Sequence, residues 1–368
     1  MDLDSLAKPF LKNLTPYKPG KPIEQLQRER GITVAPAKLA SNENPYAPHK
    51  KIREAIVSSI DEVNRYPESG APALTDKLSE TLGVPPSEIF VGNGANEIID
   101  LLVRAYAGPD ENTVFSSLSF AIYKLVSMQC GVQGIEVPQR DFKHDLPAMA
   151  QAVNEKTKIV FVCNPNNPTG TYSTTGEVEA FLDAIPDHVL AVFDQAYLEF
   201  VSASDYPDCL ALRRKKENVV ALRTFSKVYS LAGLRVGYAI ADPRVVEILK
   251  KMMQPFSVNR LAQAAAIAAL DCRGELAPYI RETIRERERI RGELIAMGCE
   301  CPRSQTNFLF VIVKGFSGDI CGGLENFGVI VRPMGQFGGL AHTFRVNTGT
   351  PDENDRFLDA LRNVLSSG

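Results

Sequence analysis

The sequence predicts an α/β protein, with a large domain whose mostly parallel sheet is sandwiched by helices and a smaller α+β domain after it. Three observations carry that expectation. Between about residues 50 and 250, short runs rich in Val, Ile and Phe alternate with helical patterns. Those runs are apolar at consecutive positions, as a sheet buried on both faces requires. After Asp242 the order changes to long helical stretches followed by strands, a layer of its own kind.

Taken in order, residues 1–45 are punctuated by proline and read as an arm that joins the small domain. The large domain is expected over 46–250 and the small C-terminal domain over 251–368. Strand candidates in the large domain are 89–91, 114–116, 159–163, 189–193, 219–224 and 237–240. Helices are expected over 96–107, which Gly108-Pro109 stops, and over 175–184. In the second domain, helical patterns cover 244–253, 259–270 and 276–297, the last ended by Gly298. Strands at 307–313, 329–332 and 343–347 follow, and a final helix begins near Pro351.

Composition narrows the function. Of 368 residues, 44% are hydrophobic and 23% charged, ordinary values for a globular chain. A net charge of −3 without a basic run argues against nucleic acid as a partner. No apolar stretch approaches about 18 residues, so no membrane span is expected. Met1-Asp-Leu-Asp is acidic and the following stretch is broken by Pro16 and Pro19, which does not read as a signal peptide. Seven scattered cysteines suit free thiols in a reducing cytoplasm, and the CxC of Cys299 and Cys301 has no second pair to make a zinc site. No metal is expected.

The chemistry concentrates between Arg223 and Arg235, in Arg223-Thr-Phe-Ser-Lys-Val-Tyr-Ser-Leu-Ala-Gly-Leu-Arg235. Lys227 offers an amine for Schiff-base chemistry, Ser226 a hydroxyl, and Arg235 a guanidinium able to clamp a phosphate. Upstream, Asp194 ends an apolar run, which puts a carboxylate at the C-terminal edge of a buried strand, where α/β sites are built. Asn164-Pro-Asn-Asn-Pro-Thr-Gly170 closes the run before it. Phe90-Val-Gly-Asn-Gly-Ala-Asn-Glu97 starts a helix directly after a strand, so the amides of Ala95 and Asn96 would face an anion. This nearly matches a dinucleotide fingerprint, but Glu97 stands where the third glycine belongs, which disfavours a nicotinamide enzyme.

Asn167-Pro-Thr-Gly170, Asp194-Gln-Ala-Tyr197 and Ser226-Lys227, in that order, resemble the pyridoxal-phosphate enzymes of the aspartate-aminotransferase superfamily, fold type I. Within it the chain looks most like the histidinol-phosphate aminotransferases. The resemblance covers essentially the whole chain and implies pyridoxal 5'-phosphate as cofactor. It implies that Lys227 holds the cofactor and moves the substrate proton, and that Asp194 keeps the ring nitrogen protonated. Tyr197 and Asn167 would serve the ring's 3-oxygen, and Thr224, Ser226 and Arg235, with the amides of Ala95 and Asn96, its phosphate. Phe120 matches the residue that stacks on the ring, with Tyr123 three residues on either a second ring neighbour, a substrate contact or a core aromatic. Tyr66, in Arg65-Tyr-Pro67, matches a tyrosine that reaches the cofactor of a neighbouring subunit, which implies a homodimer.

For substrate, the resemblance points to Arg345 and Arg332 as a pair of forks on a phosphate, helped by Tyr17, Asn42 and Asn307. Two forks suit a dianionic phosphate better than a carboxylate. The implied reaction is transamination of L-histidinol phosphate with 2-oxoglutarate in histidine biosynthesis. An aromatic amino acid aminotransferase of the same fold, a phosphothreonine decarboxylase and a non-catalytic cofactor-binding regulator are the alternatives. The last would need a DNA-binding segment that the sequence does not contain.

Overall fold

The computed structural model describes residues 3–12, 14–17, 19–31, 35–337 and 340–367. Strand β1 (Ala37–Lys38) lies in the arm. β2 (Ile89–Gly92), β3 (Asn112–Ser116), β4 (Gln133–Val137), β5 (Thr157–Cys163), β6 (Leu190–Asp194), β7 (Val219–Thr224) and β8 (Gly237–Ile240) form one sheet in the order β2-β8-β7-β6-β5-β3-β4. β4, β3, β5, β6 and β7 run parallel, while β8 is antiparallel to both its neighbours.

Alternate residues of these strands feed two different cores, which is why the runs are continuously apolar. Val160, Val162, Ala191, Phe193 and Ala221 belong to one core, packed against helices that include Pro72–Leu82 and Arg260–Asp271. Ile159, Phe161, Val192, Val220 and Leu222 belong to the other, under Ala95–Tyr106 and Pro243–Met252. The result is a three-layer sandwich. Edge strand β4 departs from the sequence expectation, which did not include it. Its Gln133 and Glu136 are exposed, so it lacks the apolar run that marks its neighbours.

A second sheet holds β9 (Phe308–Ile312), β11 (Arg332–Pro333) and β12 (Thr343–Asn347), in the order β11-β12-β9, all antiparallel. Leu309, Val311, Phe344 and Val346 pack on the helices Ala277–Ala296 and Pro351–Ser366. Residues 329–332, expected as one strand, divide instead. β10 (Val329–Ile330) pairs in parallel with β1, and β11 turns away to join β12. The pairing of β1 with β10 ties the arm to this second layer. Among the described residues no helix is long and apolar enough to cross a membrane.

Candidate active site

The C-terminal ends of the parallel strands converge on a cavity of about 350 Å³ between the two sheets. Asp194 is the last residue of β6 and Thr224 the last of β7, so both are fixed by sheet hydrogen bonding. Ser226 and Lys227 follow in the next turn, and the Asn164–Gly170 stretch, with cis bonds before Pro165 and Pro168, leaves β5 beside them. Lys227, Asp194, Tyr197, Asn167, Thr224, Ser226, Arg235, Ala95, Asn96 and Phe120 all line the cavity.

One end of the cavity is built for an anion. Gly94 precedes the helix Ala95–Tyr106 and has no side chain to cap it, so the first-turn amides are left for a ligand. A side chain at Gly94 would be strained by its φ of +81, and a Cβ there would have to displace the Arg235 guanidinium, which lies 2.6 Å from that position. Arg235 itself holds a left-handed backbone, φ +57, and donates to the Ala232 carbonyl at 3.0 Å. The Thr224 hydroxyl donates to Ser226 Oγ at 2.9 Å and accepts from the Ser226 amide at 3.0 Å, which sets both hydroxyls on the cavity wall.

Across the cavity, Asp194 is almost wholly buried. Its carboxylate accepts from the Tyr123 hydroxyl at 2.8 Å and from the Ala196 amide at 3.1 Å. Burial raises its pKa, and those two hydrogen bonds with the Lys227 charge offset part of the rise. Lys227 goes the other way. Burial, then the Arg345 guanidinium, bring its amine from the ordinary 10.5 down to about 8, with Arg235 adding to the effect and Glu43 and Asp194 opposing it. Its Nζ stands 5.6 Å from the centre of the Tyr197 ring. The Tyr197 hydroxyl, pushed well up by burial, accepts from Asn42 Nδ2 at 2.9 Å and Asn167 Nδ2 at 3.3 Å.

Arg332 and Arg345 face each other across the β11–β12 pair, as directly opposed residues in the strand register. Arg345 donates to Asn167 Oδ1 at 2.5 Å and to the Ala40 carbonyl at 2.7 Å, stacks over Phe308 at 5.3 Å, and keeps a buried Nε without a partner. Burial, and the charge of Arg332, lower its pKa to about 10, against the opposite pull of Tyr197. Arg332 lies over the Tyr17 ring at 5.7 Å, and both line the cavity mouth. Lys18, next to Tyr17 in the arm motif, lies outside the described residues.

Two residues stand elsewhere than the sequence reading expected. Tyr123 makes no wall of the cavity: it is fully buried, stacked on Phe161 at 4.6 Å, and its hydroxyl is taken by Asp194. The substrate contact expected of it gives way to support of the carboxylate. Asn307 likewise sits behind the wall, donating to the Asn42 carbonyl at 3.2 Å, so it holds the loop in which Asn42 adopts φ +53. Tyr66, expected to serve a neighbouring subunit's cofactor, is 79% exposed and does not line its own cavity. The wall residues that the sequence reading did not single out include Ser119 and Glu43. Each adjoins a residue that was singled out, Phe120 and Asn42, and the motif around them was the available signal.

The model of aminotransferase class I and II matches residues 36–361. Histidinol-phosphate aminotransferase 2 of Pseudomonas fluorescens (strain Pf0-1) is 42% identical, over 99% of this chain and 98% of its own length. An aromatic amino acid aminotransferase of Thermobifida fusca (strain YX) is 41% identical, over 96% of this chain and 95% of its own. Among solved structures, histidinol-phosphate aminotransferase from Sinorhizobium meliloti, in complex with pyridoxal-5'-phosphate, superposes with a TM-score of 0.89 at 28% identity, covering 99% of this chain and 98% of that one.

Proposed function

The chain belongs to the class I and II aminotransferase family, and we propose that it transfers the amino group of L-histidinol phosphate to 2-oxoglutarate, in histidine biosynthesis. The products are imidazole-acetol phosphate and L-glutamate. The cavity fits pyridoxal 5'-phosphate, since uncapped helix amides, two hydroxyls and Arg235 at one end face a buried carboxylate and an amine at the other. When bound, that cofactor supplies an electron-withdrawing ring that weakens the bonds at the carbon beside the substrate nitrogen.

The roles follow from the donors available. Ala95, Asn96, Thr224, Ser226 and Arg235 would hold the phosphate, and Asp194 would keep a proton on the ring nitrogen. Tyr197 and Asn167 would orient the 3-oxygen, and Phe120 would cover one ring face. Lys227 would hold the cofactor and carry the substrate proton, a task that suits an amine with its pKa near 8, neutral often enough at working pH to accept a proton. Tyr123 would act through Asp194, and Asn307 through Asn42.

The observation that carries the substrate is the opposed pair Arg332 and Arg345, two guanidinium groups held side by side in a partly desolvated site. Their mutual repulsion is relieved best by a dianion, and a phosphate accepts two forks. Tyr17 at the mouth would close over it. We propose further that the active unit is a cytoplasmic homodimer in which Tyr66 of each copy enters the cavity of the other. A division into arm (1–45), cofactor-binding (46–250) and C-terminal (251–368) parts is proposed with it. Arg332→Ala is the test. It should cut kcat/KM for histidinol phosphate by at least about tenfold, the loss of one charge-assisted pair, and leave phenylalanine little changed. If histidinol phosphate is untouched, the phosphate reading fails in favour of an aromatic aminotransferase.

A further inference from the structure

Tyr66 is not a loose side chain. Its ring stacks on Phe256, with centroids 4.8 Å apart and planes at 21°, although the two are 79% and 41% exposed. Phe256 holds this place with φ +60, a left-handed backbone that aromatic residues rarely adopt. An aromatic left 41% exposed on a strained backbone gains only part of its burial energy, and such outliers persist where the strain serves a site.

The surroundings pin both rings. Arg260 donates to the Tyr66 carbonyl at 3.1 Å and to Glu62 at 2.8 Å, which holds the tyrosine turn. The Phe256 turn is tied to its own chain's anion cradle. Ser257 Oγ donates to Glu97 Oε2 at 3.4 Å, in the first turn of the cradle helix, and Asn259 Nδ2 donates to the Leu234 carbonyl at 3.0 Å, beside Arg235. The turn that carries Phe256 is therefore fastened to the cradle from outside the cavity, with Tyr66 stacked on it. On the shared-site reading, a two-fold axis beside that turn would set the ring pair of each copy against the cradle of the other, because an isologous contact exchanges the same patch in both directions.

We infer that Phe256 is a positioning residue for Tyr66, holding its phenol in the one orientation that enters the phosphate cradle of a second copy of the chain. This rests on the shared-site reading above. A tyrosine left free on the surface samples several rotamers, and Phe256 removes that freedom before the copies meet.

The test measures how fast the purified holoenzyme releases pyridoxal 5'-phosphate on dilution, with sedimentation reporting the oligomeric state. Phe256→Ala should release it about three- to tenfold faster, the scale of one aromatic pair, with sedimentation unchanged. Phe256→Tyr, which keeps the stack, should restore the wild-type rate, and Phe256→Leu should not. Phe256→Gly relaxes the backbone, so its thermal midpoint should be no lower than that of Phe256→Ala while release stays fast. In a Tyr66→Phe background the phenol is gone, and Phe256→Ala should add no further acceleration. Fast release by Tyr66→Phe with wild-type release by Phe256→Ala would overturn the positioning role and leave the shared site standing. Equal acceleration by Phe256→Ala in both backgrounds would also overturn it. A monomer, or a Tyr66→Phe variant that releases at the wild-type rate, would sink the shared site and this inference together.

Discussion

Replacing Lys227 with methionine should stabilise the cofactor-free protein, and the gain should depend on pH. Burial and the neighbouring arginines lower the amine from 10.5 to about 8, so at pH 7 the fold carries a charge it disfavours by about 3 kcal/mol. Part of the side chain still meets solvent, which reduces the expected gain to about 1–3 kcal/mol. The folded value lies below the unfolded one, so between about pH 8 and 10.5 the unfolded chain keeps a proton that the folded chain has released. Stability therefore rises with pH across that window, and the penalty is full below pH 8 and gone above 10.5. Urea unfolding of both proteins at pH 7 and pH 10 measures the difference. Methionine should be clearly more stable at pH 7, and much of that advantage should vanish by pH 10. An advantage that is absent at pH 7, or identical at the two pH values, would refute the claim that the site holds its lysine under electrostatic load.

Three further outcomes follow from the same geometry. Asp194→Asn should keep the fold, since an amide preserves the Ala196 contact, but raise the catalytic barrier by about 3 kcal/mol or more, read as kcat of the loaded enzyme. Tyr123→Phe removes one hydrogen bond to a buried carboxylate, worth about 1.5–3 kcal/mol, so the Asp194 pKa should rise further. The pH at which the bound cofactor's absorption changes should move, while the thermal midpoint of a core aromatic replaced by its near-isostere should move little. In the cofactor-loaded enzyme, whose cradle is filled, inorganic phosphate at about ten times its dissociation constant should stabilise the wild type by about 1.4 kcal/mol in thermal unfolding, and much less after Arg345→Ala.

Much of this was legible in the sequence wherever one physical demand acted alone. β5, β6 and β7 are buried on both faces, so their Val and Ile runs could be read directly, and Asp194 and Thr224 came with them as strand ends. Arg332 and Arg345 were recognisable as a pair, although the split of 329–332 into two strands was not. Val329 and Ile330 bury against the arm, while Arg332 turns toward the cavity, and both halves read alike as β. β4 was invisible because the exposed Gln133 and Glu136 leave it no apolar run, unlike β2 at the opposite edge. Tyr123 could not be assigned from spacing, since the tilt of the helix Ile122–Cys130 decides whether its ring faces the cavity or the back of Asp194. Asn307 posed the same problem, as its amide holds a loop 265 residues away in sequence.

In the proposed function, Lys227, Asp194 and the opposed arginines build a phosphate-selective aminotransferase site. That function is tested most directly by single-turnover half-reactions of the loaded enzyme against histidinol phosphate, histidinol and phenylalanine. Removing the phosphate takes away contacts with two guanidinium groups at about 1.5–3 kcal/mol each, so histidinol should fall behind histidinol phosphate by at least about a hundredfold in kcat/KM. Histidinol or phenylalanine reacting as efficiently as histidinol phosphate would contradict the account.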